Sequence, residues 1–578
     1  MTGTLETLLE TGRVEPVDLH LARHLADLDS DGPPELPVLA ALACAGVRAG
    51  HVCLPLRPAP IDGLGATEPL VERLLASPLV GRPGTPGVPL ILDGDRLYLA
   101  RYHAWERQVI AAVEARLRVP NPELDLPRLR AGLSERFSAT DVGPDWQRLA
   151  AALAVMRPFC VISGGPGTGK TWTVAHILGL LRAQPGGESL RVALAAPTGK
   201  AAARLNEALA SVDPGLAEWT LPAQTLHRLL GMRPGRVRPR HGAHRPLPVD
   251  LLVVDETSMV DLPLMARLMV ALPPKARLVL LGDPHQLASV EAGQVMADLC
   301  AGPDNCWNRA TADALSAVTG QRVPAAESSL PAMADHRVVL RRSRRFDPEQ
   351  GIGRLAWAVN RGEVDAALEV LGRGRDGVER RPAGELRRLI LDRLVPAFTR
   401  LLEMADPAAA LDALQRIRAL CAVREGPQGV LAVNRWVEAA LGVVGERFYH
   451  GRPVMVTVND YALGLFNGDQ GVIWRVEGRL QACFPDGKGG VRRLPPSRLP
   501  AHETVYAMTI HKSQGSEFDE VVLALPEEDN PLVTRELLYT GVTRARRRVV
   551  VCASEAVVAR SVARTVHRVS GLRDALWG

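Results

Sequence analysis

Lys170 and Thr171 close a glycine-rich run, GGPGTGKT at 164–171, that fits the pattern GxxxxGK(S/T). Val161 and Ile162 before it read as the end of a buried strand and the residues from Trp172 onward as a helix, the strand–loop–helix setting in which this pattern cradles phosphate. Gly164, Gly165, Gly167 and Gly169, spaced by Pro166 and Thr168, let successive N–H groups turn inward around an anion. The helix N-terminus adds its partial positive charge, Lys170 reaches the outer phosphates, and Thr171 suits Mg²⁺. With Trp172, these residues form the expected contact set for a nucleoside triphosphate.

A pair of acids follows in VDLLVVDETSMVD. Four apolar residues, 251–254, make a buried strand that delivers Asp255 and Glu256 to its C-terminal edge, where ligands sit in open parallel sheets. Asp255 suits Mg²⁺ coordination, and Glu256 suits positioning and deprotonating an attacking water. ARLVLLGDPHQLASV repeats the pattern, with a strand at 278–281 and a turn holding Asp283 and Gln286; Gln286 is placed to meet the γ-phosphate or the attacking water. Upstream, Gln147 opens a helix before the phosphate loop, and its amide can pair both ways with an adenine edge, which would favour ATP.

The elements needed to hold these groups alternate strand and helix, as a parallel α/β sheet requires. RVALAAPTGKAAARLNEAL supplies a strand at 192–195, a polar turn and a helix. A loop carrying Arg233, Arg236, Arg238, Arg240 and Arg245 follows, solvated in isolation and a phosphate contact in a nucleic-acid enzyme. Residues 302–337, rich in Ala, Ser, Pro and Asp, read as a surface loop and a boundary. A second α/β unit starts near 338, interrupted at about 450–500 by alternating apolar and polar residues around Asn-Gly and Asp-Gly turns, a small β insertion. Asp486, Gly487 and Lys488 in that stretch read as a hairpin turn rather than a nuclease element. Residues 1–120 show helical leucine spacing, a hairpin at 90–99 and a long helix, with no catalytic constellation, and fit a docking module.

At 578 residues several domains are expected. Lys and Arg (69) exceed Asp and Glu (64) too slightly to name a partner. The eight scattered cysteines make no CxxC pair and read as thiols of a reducing compartment. No run is apolar enough for a membrane span, and a cytoplasmic protein is expected.

The set GGPGTGKT, APTGKAAARL, TLHRLLG, VVDETSM, LGDPHQLASV, SRRF, NGDQG, HKSQGSEFDEV and LYTGVTRAR resembles the motifs of superfamily 1 DNA helicases, most closely the RecD family of RecBCD (exonuclease V) subunits. The resemblance covers about 90–555 and is weak before that. It implies an α/β fold of two RecA-like parallel-sheet motor domains (121–336 and 337–578), a small SH3-like β insertion in the second, and a mainly helical N-terminal domain (1–120). It further implies that Arg345, or its neighbour Arg344, and Arg544 reach the γ-phosphate from the second domain, and that Glu517 touches the nucleotide sugar. Thr198, Lys200, Thr225, His227, His511 and Ser513 would lie near single-stranded DNA. The implied activity is ATP- and Mg²⁺-dependent 5′-to-3′ translocation on DNA, beside RecB-like and RecC-like subunits that process broken double-stranded DNA. A solitary DNA helicase, a nucleotide-gated structural subunit and an RNA helicase are the alternatives.

Overall fold

The computed structural model describes residues 2–578 except 59, 61–66, 138–142, 234, 237, 348, 461 and 488–489. Lys488 of the Asp-Gly-Lys turn therefore lies outside the described residues.

The N-terminal region is mainly helical. Helices Pro16–Leu28 and Leu36–Arg48 pack on each other beside a small sheet of β1 (Leu54–Pro55), β2 (Val80–Gly81), β3 (Leu90–Asp93) and β4 (Arg96–Leu99), in the order β1-β4-β3-β2. β3 and β4 form the expected hairpin, and Gly94 at φ +60° supplies the left-handed residue that its two-residue turn needs.

A six-stranded, all-parallel sheet follows: β5 (Phe159–Gly164), β6 (Val192–Ala196), β7 (Gln224–Thr225), β8 (Leu251–Val254), β9 (Arg277–Gly282) and β10 (Arg337–Leu340), in the order β10-β5-β9-β8-β6-β7. Apart from the short, half-buried edge strand β7, its strands are buried on both faces, which explains why they read as continuous apolar runs. Phe159 and Val161 enter one core with Leu252 and Val254, while Cys160 and Ile162 enter the other with Leu251 and Val253. Helices Trp146–Met156 and Lys170–Arg182 cover the second face. The first face is closed partly by helix Ala100–Leu117, whose Val109, Ile110 and Val113 are buried against helix Leu262–Ala271. That helix falls within the 1–120 stretch grouped by sequence as a docking module, yet its packing belongs to this sheet.

Two further stretches depart from the sequence reading. Residues 302–337 are not a loop: helix Arg309–Thr319 packs on Trp146–Met156, and Trp307 is fully buried with its Nε1 donating to the Arg337 carbonyl at 3.0 Å. Its buried stripe of Thr311, Ala312, Leu315, Val318 and Thr319 keeps helical spacing but is short, and it is set in a stretch otherwise rich in Pro, Ser and Asp. β10, beyond the expected boundary at 336, is an edge strand of the first sheet, with Leu340 opposite Gly164.

The second motor sheet is built from β11 (Val378–Arg381) and β12 (Ile417–Cys421), then, after the insertion, β18–β20. The insertion comprises β13 (Pro453–Val456), β14 (Gln470–Val476), β15 (Arg479–Pro485), β16 (Val491–Leu494) and β17 (His502–Thr504), an antiparallel sheet in the order β16-β15-β14-β13-β17. Its tight turn between β14 and β15 is Glu477-Gly478, both at positive φ, while Asn467-Gly468 lies in the connection ahead of β14. The chain then returns through β18 (Ala507–Thr509), β19 (Phe518–Ala524) and β20 (Ala545–Cys552), and the parallel order is β11-β20-β19-β12-β18. The C-terminal segment leaves this sheet and crosses back: the Val52 amide donates to the Val569 carbonyl at 2.8 Å, and Leu572 and Leu576 of helix Leu572–Trp577 enter the first sheet's core.

Candidate nucleotide site

The phosphate loop leaves β5 at the C-terminal edge of the first sheet and enters helix Lys170–Arg182. Two of its glycines are required sterically. Gly167 (φ +77°) has no room for a Cβ, which would lie 2.5 Å from that of Arg345, and at Gly169 (φ +79°) it would lie 2.3 Å from Gln147 Nε2. Lys170 Nζ donates to the carbonyls of Gly164 (2.7 Å) and Gly165 (3.1 Å), so the cation is parked on its own loop. Thr168 is buried, with its hydroxyl donating to the Gly165 carbonyl at 2.8 Å.

Thr171 Oγ1 donates to Asp255 Oδ2 at 3.3 Å, joining the loop to the end of β8. Burial, and then the neighbouring Glu256, raise the Asp255 carboxyl above the usual carboxylate range. Glu256 itself sits at φ +52°, ψ +41°, a left-handed conformation rare for a residue with a Cβ, so its position is imposed by its surroundings rather than by local preference. Both acids line the cavity in front of the loop, Asp255 buried against Thr171 and Glu256 half-buried on the turn after β8.

That cavity, about 370 Å³, lies between the two parallel sheets and is lined from the first by Lys170, Thr171, Trp172, Arg204, Asp255, Glu256 and Gln286, from the second by Gly515, Glu517 and Arg544, and by Arg344 and Arg345 of the segment that joins them, which rests on the phosphate loop at Gly167. Arg345 pairs with Glu517, which also meets Arg204 at 3.6 Å and Arg546 at 3.2 Å. Burial alone would raise the Glu517 pKa, but Arg345, Arg204 and Arg544 outweigh it and hold the carboxyl at about 2. Arg544 is 4% exposed and donates to Gln286 Oε1 at 3.1 Å; burial lowers its pKa.

Gln147 does not stand open for a base. Its Nε2 donates to the Thr168 carbonyl at 2.8 Å, and its Oε1 accepts from Arg344 Nη2 at 2.7 Å. The Arg344 guanidinium also lies 4.5 Å from the centre of the Trp172 ring, so one arginine caps both expected base contacts.

The six residues expected near DNA divide. Thr198 and Thr225 cap helices, accepting from the amides of Ala201 and Arg228 at 3.2 Å, and they lie at the ends of adjacent strands, with Ala196 opposite Thr225. His227 is exposed just beyond. Lys200 points across the interface, Nζ donating to Ser516 Oγ at 2.7 Å, and Ser513 is fully buried with its hydroxyl on the Ile510 carbonyl. His511 precedes that turn and is half-buried. The five arginines of the 233–245 loop are exposed. Arg204 had no place in the sequence reading. Its signal was its spacing, four residues after Lys200 and so on the same helix face.

Comparison with known proteins extends beyond this site. A domain family described as "RecBCD enzyme subunit RecD, N-terminal domain" matches residues 10–98, the stretch in which the sequence motifs showed only weak resemblance. An "AAA domain" matches 147–292 and a "UvrD-like helicase C-terminal domain" 504–552. The chain is 42% identical to RecBCD enzyme subunit RecD of Mycolicibacterium smegmatis, over 97% of each chain. It is 36% identical to that of Haemophilus influenzae, over 84% of this chain and 80% of the other. The ATP-dependent RecD2 DNA helicase of Deinococcus radiodurans is 31% identical over 90% of this chain, but the match spans only 65% of that protein.

Proposed function

Since this chain belongs to the RecD family, we propose that it is the ATP-driven 5′-to-3′ DNA motor subunit of a RecBCD-type complex, working beside RecB-like and RecC-like subunits on broken double-stranded DNA. One observation carries the reading of the site: the phosphate loop, the Asp255–Glu256 pair and the arginines Arg345 and Arg544 line a single cavity between two parallel sheets.

In this reading the loop amides and Lys170 hold the phosphates, with Lys170 giving up its loop carbonyls to do so. Thr171 and Asp255 present two adjacent oxygens that fit a Mg²⁺ ion. Among the described residues no group of three or more His, Cys, Asp or Glu is arranged to hold a metal, as suits an ion whose remaining ligands are phosphate and water. When bound, that ion neutralises charge on the transferring phosphoryl group. Glu256 orients and deprotonates the attacking water, and Gln286 senses the γ-phosphate. Arg345, on the segment joining the two units, and Arg544, from the opposite side, stabilise the transition state; Arg544 does so only when the cleft is closed, which ties hydrolysis to lobe movement. Trp172 and Arg344 face the base, with Gln147 holding Arg344 in place, and Glu517 faces the sugar. Strand contacts would run along Thr198, Thr225, His227 and His511, with the 233–245 arginines as phosphate contacts, while Lys200 and Ser513 support that track from beneath.

The RecBCD-type subunits of Mycolicibacterium smegmatis and Haemophilus influenzae are 42% and 36% identical to this chain against 31% for RecD2, which supports the complex-bound reading over a solitary helicase. The eight cysteines are all free, and among the described residues no helix is long and apolar enough to cross a membrane, in keeping with a cytoplasmic site of action. The deciding experiment is ATP hydrolysis by the full chain, with and without RecB-like and RecC-like partners, on single-stranded DNA and RNA. DNA-specific stimulation that vanishes in Lys170→Gln is expected; stimulation by RNA alone would overturn the assignment.

A further inference from the structure

Tyr539 is a buried residue of the second side that the reading above leaves without a role. It lies in helix Arg535–Val542, 6% exposed, five residues before Arg544. Its hydroxyl donates at 3.2 Å to Asp283 Oδ2 on the first side, a carboxylate with no exposed surface. The same oxygen accepts from Gln286 Nε2 at 3.0 Å, and Gln286 Oε1 accepts from Arg544 Nη2 at 3.1 Å. The hydroxyl also packs against the phosphate loop, where a Cβ on Gly165 would stand 2.9 Å from it. Gly165 is the residue whose carbonyl accepts from Lys170 and from Thr168.

We propose that Tyr539 is a positioning residue for ATP hydrolysis: through Asp283 it fixes the Gln286 amide that holds Arg544, and through Gly165 it couples that arrangement to the state of the phosphate loop. The inference rests on the nucleotide-site reading above. The geometry makes a closed ring, in which residues 539 and 544 of one side hold residues 283 and 286 of the other. Thr540 reinforces it by accepting from the Leu287 amide at 3.0 Å. An amide side chain has two faces of opposite polarity, so only the orientation with Nε2 toward Asp283 leaves an acceptor for Arg544. Tyr539 and Gln286 share the Asp283 carboxylate; the phenol, locked between it and Gly165, keeps that carboxylate in register with the loop. When Lys170 leaves the Gly165 carbonyl for phosphate, the first group on the far side to meet the altered loop is the Tyr539 hydroxyl.

The test is steady-state ATP hydrolysis by the full chain on single-stranded DNA for wild type, Tyr539→Phe, Gln286→Ala, the double variant and Lys170→Gln. Tyr539→Phe keeps the ring and removes one hydroxyl, so its melting temperature should stay near wild type. Its kcat should fall about tenfold or more with KM changed by less than about threefold, the pattern of an interaction that matters in the transition state. The double variant should be no worse than the weaker single, because both substitutions break one ring. Wild-type kcat in Tyr539→Phe, or losses that multiply in the double variant, would overturn the role while Lys170→Gln remained inactive. Hydrolysis surviving in Lys170→Gln would overturn the nucleotide site and this proposal with it.

Discussion

Lys200 Nζ donates to Ser516 Oγ at 2.7 Å, joining the helix after β6 to the turn before β19 across the interface between the motor sheets. Enclosure first, then Arg204 and Arg418, lower the ammonium from 10.5 to about 7. The unfolded chain therefore binds a proton between about pH 7 and 10.5 that the folded chain does not, so the folded state gains stability as pH rises through that window and bears the full cost below it. Lys200→Met should flatten this dependence. Melting temperatures compared at pH 6.5 and 9 in buffers of equal ionic strength should show wild type gaining on the variant at the higher pH.

Glu256 holds a left-handed backbone beside a buried Asp255, and the two acids should fail differently. Glu256→Gln keeps size and hydrogen bonding but removes the base, so ATP should still bind while hydrolysis falls roughly 10²–10⁴-fold. Asp255→Asn should instead weaken Mg²⁺-dependent nucleotide binding. Fluorescent-nucleotide titration with and without Mg²⁺ separates the two; equal loss of binding in both variants would contradict the division.

What the sequence disclosed follows from what each kind of signal measures. The phosphate loop, Asp255–Glu256 and Gln286 were legible because strand, turn and chemistry coincide within a few residues, and Arg544 only through the resemblance of LYTGVTRAR to a helicase motif; all of them line the cavity. Contacts between residues far apart in sequence were not. Lys200 and Ser516 are 316 residues apart, and Gln147 and Arg344 are 197, so no local pattern could reveal that the lysine turns into the interface or that the glutamine amide is already satisfied. Helix Arg309–Thr319 escaped for a different reason: its stripe of Ala312, Leu315 and Val318 spans barely two turns and lies within a stretch whose Pro, Ser and Asp content reads as loop.

Arg344 stacked on Trp172 and bonded to Gln147 occupies the position from which a base would be gripped. A cation–π contact contributes about 0.5–2 kcal/mol depending on its desolvation, a range of a few-fold to roughly thirtyfold in affinity. If Arg344 transfers its stacking to the bound base, Arg344→Ala should raise KM for ATP by that range with kcat nearly kept. Arg345→Ala, which removes a guanidinium from the phosphate side of the cavity, should lower kcat instead. Parallel saturation curves for the two variants check the distinction, and a kcat-dominated loss in Arg344→Ala would exchange the two roles.

The N-terminal region meets the motor through more than its linker. Helix Ala100–Leu117 packs on helix Leu262–Ala271 and helps close one face of the first sheet, Val52 pairs with Val569, and the Gly571 amide donates to Glu106 at 2.9 Å. Removing residues 1–120 would therefore uncover Leu262, Met265 and Leu268 on the sheet-facing helix and leave the C-terminal strap without its partner. Exposed surface of that kind drives aggregation. The truncated chain is expected to be insoluble and to lose DNA-stimulated hydrolysis, whether or not the region also docks RecB-like and RecC-like subunits. Replacing only the outer helices, through Arg48, should cost far less, since their cores are largely separate from the sheet. Solubility, circular dichroism and ATP hydrolysis of the two truncations decide the matter: a soluble, active chain lacking 1–120 would mean that the first sheet closes without the helix that now covers it.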